Sequence, residues 1–244
     1  MTKQTLVLLH GWGMNQGVWQ GVIPALSEHF HVLPLDLPGF GALHDLTDHQ
    51  SLEAMTNIIA KDIPDQSLLL GWSLGGLVAI HLAATYPEKV CQLLLVASSP
   101  KFVHCESWPG IKPEILQNFG LQLSQDIPKT IERFLKIQAM GSPTLRNDIR
   151  ELKADIEQYP YPTQETLAAT LTLLSNTDLR QTLAGLNAPI QLFLGKLDTL
   201  VPVTNLENIQ ALNPHLRAHV FEKASHAPFI SHPIEFVEAL AQLA

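Results

Sequence analysis

The chain has 244 residues, 46% of them hydrophobic and 16% charged, which excludes disorder and fits one α/β core with a modest insertion better than two equal domains. Fifteen Lys and Arg against 23 Asp and Glu give a net charge of −8, so nothing global attracts phosphate backbones or anionic lipid. The two cysteines, Cys91 and Cys105, lack C-x-x-C spacing and a Cys/His ligand set, which leaves no disulfide framework or zinc site and fits a reducing cytoplasm.

Met1-Thr2-Lys3-Gln4 runs straight into apolar sequence, leaving no room for the parts of a signal peptide. Short β-rich runs follow at 5–9, 31–35, 67–70, 90–97 and 189–194, with a weaker one at 218–221. Each is nearly continuous in apolar residues, as strands covered on both faces must be. Helical patterns fall between and after them, at 18–30, 52–62, 74–85, 204–212 and 233–243. This alternation predicts an α/β fold, a mostly parallel sheet with helices on both faces. The apolar window 68–84 is interrupted by Gly71, Ser73, Gly75, Gly76 and His81, so it reads as strand, turn and helix and not as a membrane span. Between 108 and 186 the strands stop and helical periodicity takes over. Helix starts are expected at Pro113, near Pro128, at Pro143 and after Thr163. The expected organisation is a core of 1–107 and 187–244 with a helical lid inserted at 108–186.

Gly71-Trp72-Ser73-Leu74-Gly75 follows a buried strand and opens a helix, the setting of a nucleophile elbow. A serine hydroxyl needs a base to take its proton, and the base needs an orienting acid. On such a framework the order along the chain is Ser, acid, His. Asp198 follows the first strand after the lid and His226 follows the last strand, so Ser73, Asp198 and His226 are the expected catalytic set. Asp36, Asp178 and His232 remain competitors. The pairs His29/His31 and His215/His219 read as surface, and no metal is expected. The oxyanion of the tetrahedral intermediate would be met by two backbone N–H groups, those of Leu74 and of Trp12 in His10-Gly11-Trp12-Gly13.

With these motifs in place, the chain resembles the α/β-hydrolase superfamily over nearly its whole length. The resemblance rests on Leu8-Leu9-His10-Gly11-Trp12-Gly13, Leu35-Asp36-Leu37-Pro38-Gly39-Phe40-Gly41, the stretch from Gly71 to Ala79, and His226-Ala227-Pro228-Phe229. Around the lid, Ala97-Ser98-Ser99-Pro100, Trp108-Pro109-Gly110, Glu132-Arg133-Phe134-Leu135 and Asp178-Leu179-Arg180-Gln181 are similar to the pimeloyl-acyl-carrier-protein methyl ester esterases of biotin synthesis. That resemblance implies a monomeric cytoplasmic carboxylesterase without cofactor. It further implies an acyl tunnel lined by Trp12, Phe134, Leu135, Lys136, Ile137 and Gln138. Many superfamily members carry a hairpin ahead of the first strand found here, so a trimmed sheet edge is expected.

Residues 127–153 hold six basic residues against three acidic ones, a net +3 that leaves −11 on the rest of the chain. Helical spacing aligns Lys129 with Arg133, and Arg146 with Arg150 and Lys153. From charge alone this is equally a solvated helix face. The resemblance implies that Lys129, Arg133, Arg146 and Arg150 grip an acidic acyl carrier protein. Fold and triad do not fix substrate. A short-chain carboxylesterase, a carbon–carbon bond hydrolase, an elimination enzyme of the menaquinone pathway and a ligand receptor on a hydrolase fold are the rivals.

Overall fold

The computed structural model describes residues 3–47, 50–123, 127–138 and 145–243. Among them, six strands form one sheet: β1 (Thr5–Leu9), β2 (His31–Leu35), β3 (Ser67–Trp72), β4 (Val90–Val96), β5 (Ile190–Gly195) and β6 (Leu216–Phe221). Their order is β2-β1-β3-β4-β5-β6 and every pairing is parallel. All six residues of β3 are buried, because this strand has neighbours on both sides and helices above and below. The order reverses direction between β1 and β3, which opens a crevice at their carboxyl ends where ligands bind in open α/β sheets.

The helices are α1 (Ile23–Leu26), α2 (Leu52–Ile59), α3 (Leu74–Thr85), α4 (Pro113–Leu123), α5 (Ile127–Gln138), α6 (Leu145–Ile156), α7 (Gln164–Asn176), α8 (Arg180–Ala184), α9 (Leu206–Leu212), α10 (Pro228–Ser231) and α11 (Pro233–Ala241). Helices α2, α3, α8 and α9 pack side by side as one layer, and α1 packs on α11. Apolar nearly all round, α3 buries every residue from Leu74 to Ile80. Phe236 of α11 closes the core from its side, edge-on to Phe193 with ring centroids 6.0 Å apart.

The expected helix at 18–30 is instead a 3-10 turn over Gln16–Trp19 followed by the single turn of α1. Gly17 and Gly21 weaken helical continuity there, and Pro24 can sit only in a helix's first turn. β6 begins at Leu216, two residues ahead of expectation. Periodicity had too few residues to reveal α8 and α10, which span five and four residues. The expected start at Pro143 lies outside the described residues, and α6 is described from Leu145.

Between β4 and β5 the described chain has no strand, only isolated bridges of Val103 with Ile111 and Cys105 with Trp108. In that segment α4 packs on α5 and α7, and α5 on α6. Helix α8 packs on α3 and α9, and Asn213 Nδ2 donates to the carbonyls of Leu183 and Leu186 at 2.8 and 2.9 Å. The segment's two ends are tied together, since Leu179 N–H donates to Pro100 O at 2.8 Å and Lys101 pairs with Asp178 at 3.1 Å. Among the described residues, no helix is long and apolar enough to cross a membrane.

Candidate active site

Ser73 stands between β3 and α3 with φ 54° and ψ −117°. A non-glycine residue held there costs of order 1–3 kcal/mol, and the surroundings must impose it. Both of its peptide groups are held. Its N–H donates to Val96 O at 3.0 Å, and its carbonyl accepts from Gly76 N–H and Ser98 Oγ, each at 2.9 Å. The glycines fit because nothing larger could. A Cβ on Gly75 would lie 2.5 Å from Leu9 O, and one on Gly71 would overlap the Gly75 carbonyl.

Asp198 follows β5 in a loop pressed against the loop after β6, a contact possible because Gly195 carries no Cβ to strike the Ser225 carbonyl. Its Oδ1 accepts from the N–H groups of Leu200 and Val201 at 2.8 and 3.0 Å, leaving Oδ2 for His226 Nδ1 at 2.7 Å. A carboxylate accepts only, so the imidazole proton sits on Nδ1 and Nε2 is the free acceptor. That Nε2 is buried and has no hydrogen-bond partner. Trp72, beside the serine, donates its indole N–H to His226 O at 2.9 Å and so fixes the histidine loop against the elbow. Ser73, Asp198 and His226 are each at most 5% exposed.

The loop after β1 brings Trp12 to the same place. His10 Nδ1 donates to Gly11 O at 2.8 Å, and Nε2 accepts from Leu37 N–H at 3.0 Å. With both nitrogens so used the ring is neutral, although Asp36 Oδ1 lies 3.7 Å away. Burial pushes its pKa below the ordinary histidine value, and the Asp36 charge only partly offsets this. Leu74 is the first residue of α3, where an N–H has no acceptor within the helix. Trp12 and Ser73 border a narrow slot of about 30 Å³ whose other walls are Phe102, Ile111, Leu116, Leu171, Leu174 and Leu200. Among the described residues of that lining, Ser73 is the only non-hydrophobic one.

The competing groups have other partners. Asp36 accepts from Gln16 N–H, Gln16 Nε2 and Ala42 N–H at 2.6 to 2.8 Å, joining the loops after β1 and β2. Asp178 is bonded to Arg180 at 2.6 Å and to Lys101, and the Arg180 guanidinium holds its carboxyl well below the usual range. His232 Nδ1 contacts Ser231 Oγ at 2.8 Å, between α10 and α11. His29, His31 and His215 are exposed, and His219 is half-exposed, its ring tilted 60° to that of Phe221 with centroids 4.5 Å apart. No group of three metal-ligating side chains exists among the described residues.

The expected tunnel residues of α5 divide. Leu135 is buried and Lys136 is exposed and paired with Glu132 at 2.7 Å, neither lining the slot. The side chains of Phe134, Ile137 and Gln138 lie outside the described residues. Of the walls that sequence reasoning missed, Leu116 comes from α4 and Leu171 and Leu174, at helical spacing, from α7, while Phe102, Ile111 and Leu200 come from loops. Of the basic residues, Lys129, Arg133 and Arg150 are exposed, while the Arg146 side chain lies outside the described residues. Lys153 on α6 reaches Glu132 on α5 at 3.7 Å, and Lys136 and Lys153 together lower the Glu132 pKa.

The model of the α/β hydrolase fold family matches residues 4–233. The chain belongs to the α/β-hydrolase fold family. Within it, the chain is 48% identical over 238 residues to a pimeloyl-[acyl-carrier protein] methyl ester esterase of Salmonella newport, covering 98% of this chain and 93% of that one. It is 47% identical to the enzyme of the same name from Klebsiella pneumoniae, over 98% and 92% of the two chains. Among solved structures of this hydrolase fold, an esterase from Exiguobacterium antarcticum superposes with a TM-score of 0.86 at 24% identity, over 99% and 92% of the two chains. A bromoperoxidase from Bacillus anthracis gives 0.87 at 20%, over 99% and 91%. At such identities the hydrolase likeness is one of fold.

Proposed function

We propose that this hydrolase is a serine carboxylesterase that cleaves the methyl ester of pimeloyl-acyl carrier protein. The 48% identity to the Salmonella esterase, spanning nearly both chains, is the observation that carries the substrate. In this reading Ser73 is the nucleophile, His226 the base and Asp198 the group that orients and charges the base. Ser73 Oγ attacks the ester carbonyl while its proton passes to His226 Nε2. The carbonyl electrons move onto oxygen, which the N–H groups of Trp12 and Leu74 receive. Collapse expels methoxide, protonated by the imidazolium as methanol. Water, deprotonated by the same nitrogen, then releases the acyl group as a free carboxylate and restores Ser73.

The apolar slot suits the neutral ester, and its described residues offer no cation to the carboxylate product, which favours release. Lys129, Arg133, Arg146 and Arg150 on α5 and α6 would receive the acidic carrier. Phe134 to Gln138, on the same stretch of α5, would face the arm that delivers the ester. Residues 108–186 act in this reading as a lid, and the enzyme works as a cytoplasmic monomer without cofactor. The test is hydrolysis of the carrier-bound methyl ester, followed by intact mass. Wild type should convert the carrier to a species one methylene lighter, and Ser73→Ala should not. Fast hydrolysis of small esters with no action on the carrier-bound ester would leave an esterase of another substrate.

A further inference from the structure

The loop that carries Trp12 does not stand by itself: three buried contacts tie it to helices between β4 and β5. Trp12 Nε1 donates to Leu167 O on α7 at 3.1 Å. Asn15 Nδ2 donates to Ile156 O, the last residue of α6, at 3.0 Å. Gly17 lies against the next carbonyl back, where a Cβ would come within 2.6 Å of Asp155 O. Asn15 is 3% exposed, and its two side-chain atoms do different things. Oδ1 accepts from Gly17 N–H at 2.9 Å and starts the 3-10 turn, whereas Nδ2 reaches across to α6. The carboxyl end of a helix leaves its last carbonyls without intrahelical donors, which makes Ile156 O a natural acceptor.

We infer that Asn15 is a positioning residue for the oxyanion hole, coupling the placement of α6 to the direction of the Trp12 N–H. The inference rests on the esterase reading above, in which Trp12 N–H meets the oxyanion. The helix that Asn15 grips also carries Arg150, so a carrier docked on α6 would press on the element that sets this loop. Charge on the ester oxygen develops only in the transition state, so a displaced donor lowers turnover and leaves ground-state binding in the apolar slot alone.

Asn15→Asp separates the two roles, because a carboxylate still caps Gly17 but offers no donor to Ile156 O. Three quantities are measured on a small methyl ester: kcat per active site titrated with a fluorophosphonate, KM, and affinity for a boronic acid that mimics the tetrahedral intermediate. Removing an oxyanion donor outright costs about 10²–10³ in kcat, so displacing one should cost roughly tenfold to a hundredfold. KM should stay within about twofold, and boronate affinity should fall by the same factor as kcat. Trp12→Phe, which loses the Leu167 bond but keeps an aromatic ring, should shift the same quantities and serves if Asn15→Asp does not fold. A lower melting temperature with kcat per titrated site unchanged would mean a purely structural role and overturn the inference. A wild-type chain that neither takes up the fluorophosphonate nor cleaves any ester would instead refute the esterase reading, and this inference with it.

Discussion

The elbow around Ser73 and the helices between β4 and β5 are built on opposite terms. At the elbow, backbone packs on backbone: Gly71 and Gly75 each sit where a single Cβ would collide with a carbonyl, as Gly195 does beside the acid loop, and Ser73 is held at positive φ by hydrogen bonds at both peptide groups. Helices α4 to α7 bury apolar side chains such as Leu116, Leu152 and Leu167, and the side chains of Trp12 and Asn15 bond them to the loop after β1. Apolar packing tolerates repacking, whereas a backbone collision does not. In the proposed reading, chemistry is thereby confined to the part held by backbone packing, and the helices held by side chains would choose the substrate.

The sharpest break comes from the rigid side. Ser73→Ala or His226→Ala should lower kcat by about 10⁵–10⁶, and Asp198→Asn by about 10⁴, with losses that do not add because the three act as a unit. Single and double variants assayed on one small ester check this. Loss on Asp178→Asn instead would move the acid to the wrong loop. Next is Gly75→Ala, whose methyl would press on Leu9 O; it should cost about 1–3 kcal/mol of stability by urea titration, and activity besides. Gly120→Ala on α4, which among the described residues meets a flexible Leu171 side chain at 3.5 Å, should leave stability level or slightly improved.

The same division explains what could be read from sequence. Strands β1 and β2 and helix α3 were legible to the residue, because buried parallel strands must be continuously apolar and the glycine pattern at the elbow has few structural meanings. Asp198 and His226 were singled out by their places after strands, and the structure sets them 2.7 Å apart. The slot was not legible: its walls meet only when α4, α7 and the 97–112 loop are folded together, and single apolar residues such as Phe102 and Leu200 carry no local signal. Neither was the role of Asn15, which depends on a helix 141 residues further along the chain.

A smaller effect sits inside the core. His10 is buried neutral with its pKa lowered, so unfolding lets it bind a proton that the native state refuses. The stability this represents is complete above the unfolded value of about 6.5 and is lost as pH falls from there toward the lowered folded value. Urea midpoints should therefore decline as the pH is taken from 7 to 5. A flat profile would contradict the neutral, doubly bonded ring. The smallest effect belongs to the helix surface: Glu132→Gln, which removes the partner of Lys136 and Lys153, should leave the melting temperature nearly unchanged because exposed ion pairs contribute little.

The division of labour itself is tested most directly by one ratio, kcat/KM on carrier-bound pimeloyl methyl ester over kcat/KM on a small methyl ester, measured against salt for wild type and for Arg133→Glu with Arg150→Glu. Wild type should favour the carrier-bound ester most at low salt, and the double variant should lose that preference by about tenfold or more while its small-ester rate holds. A ratio that is independent of salt and identical in both proteins would contradict the account.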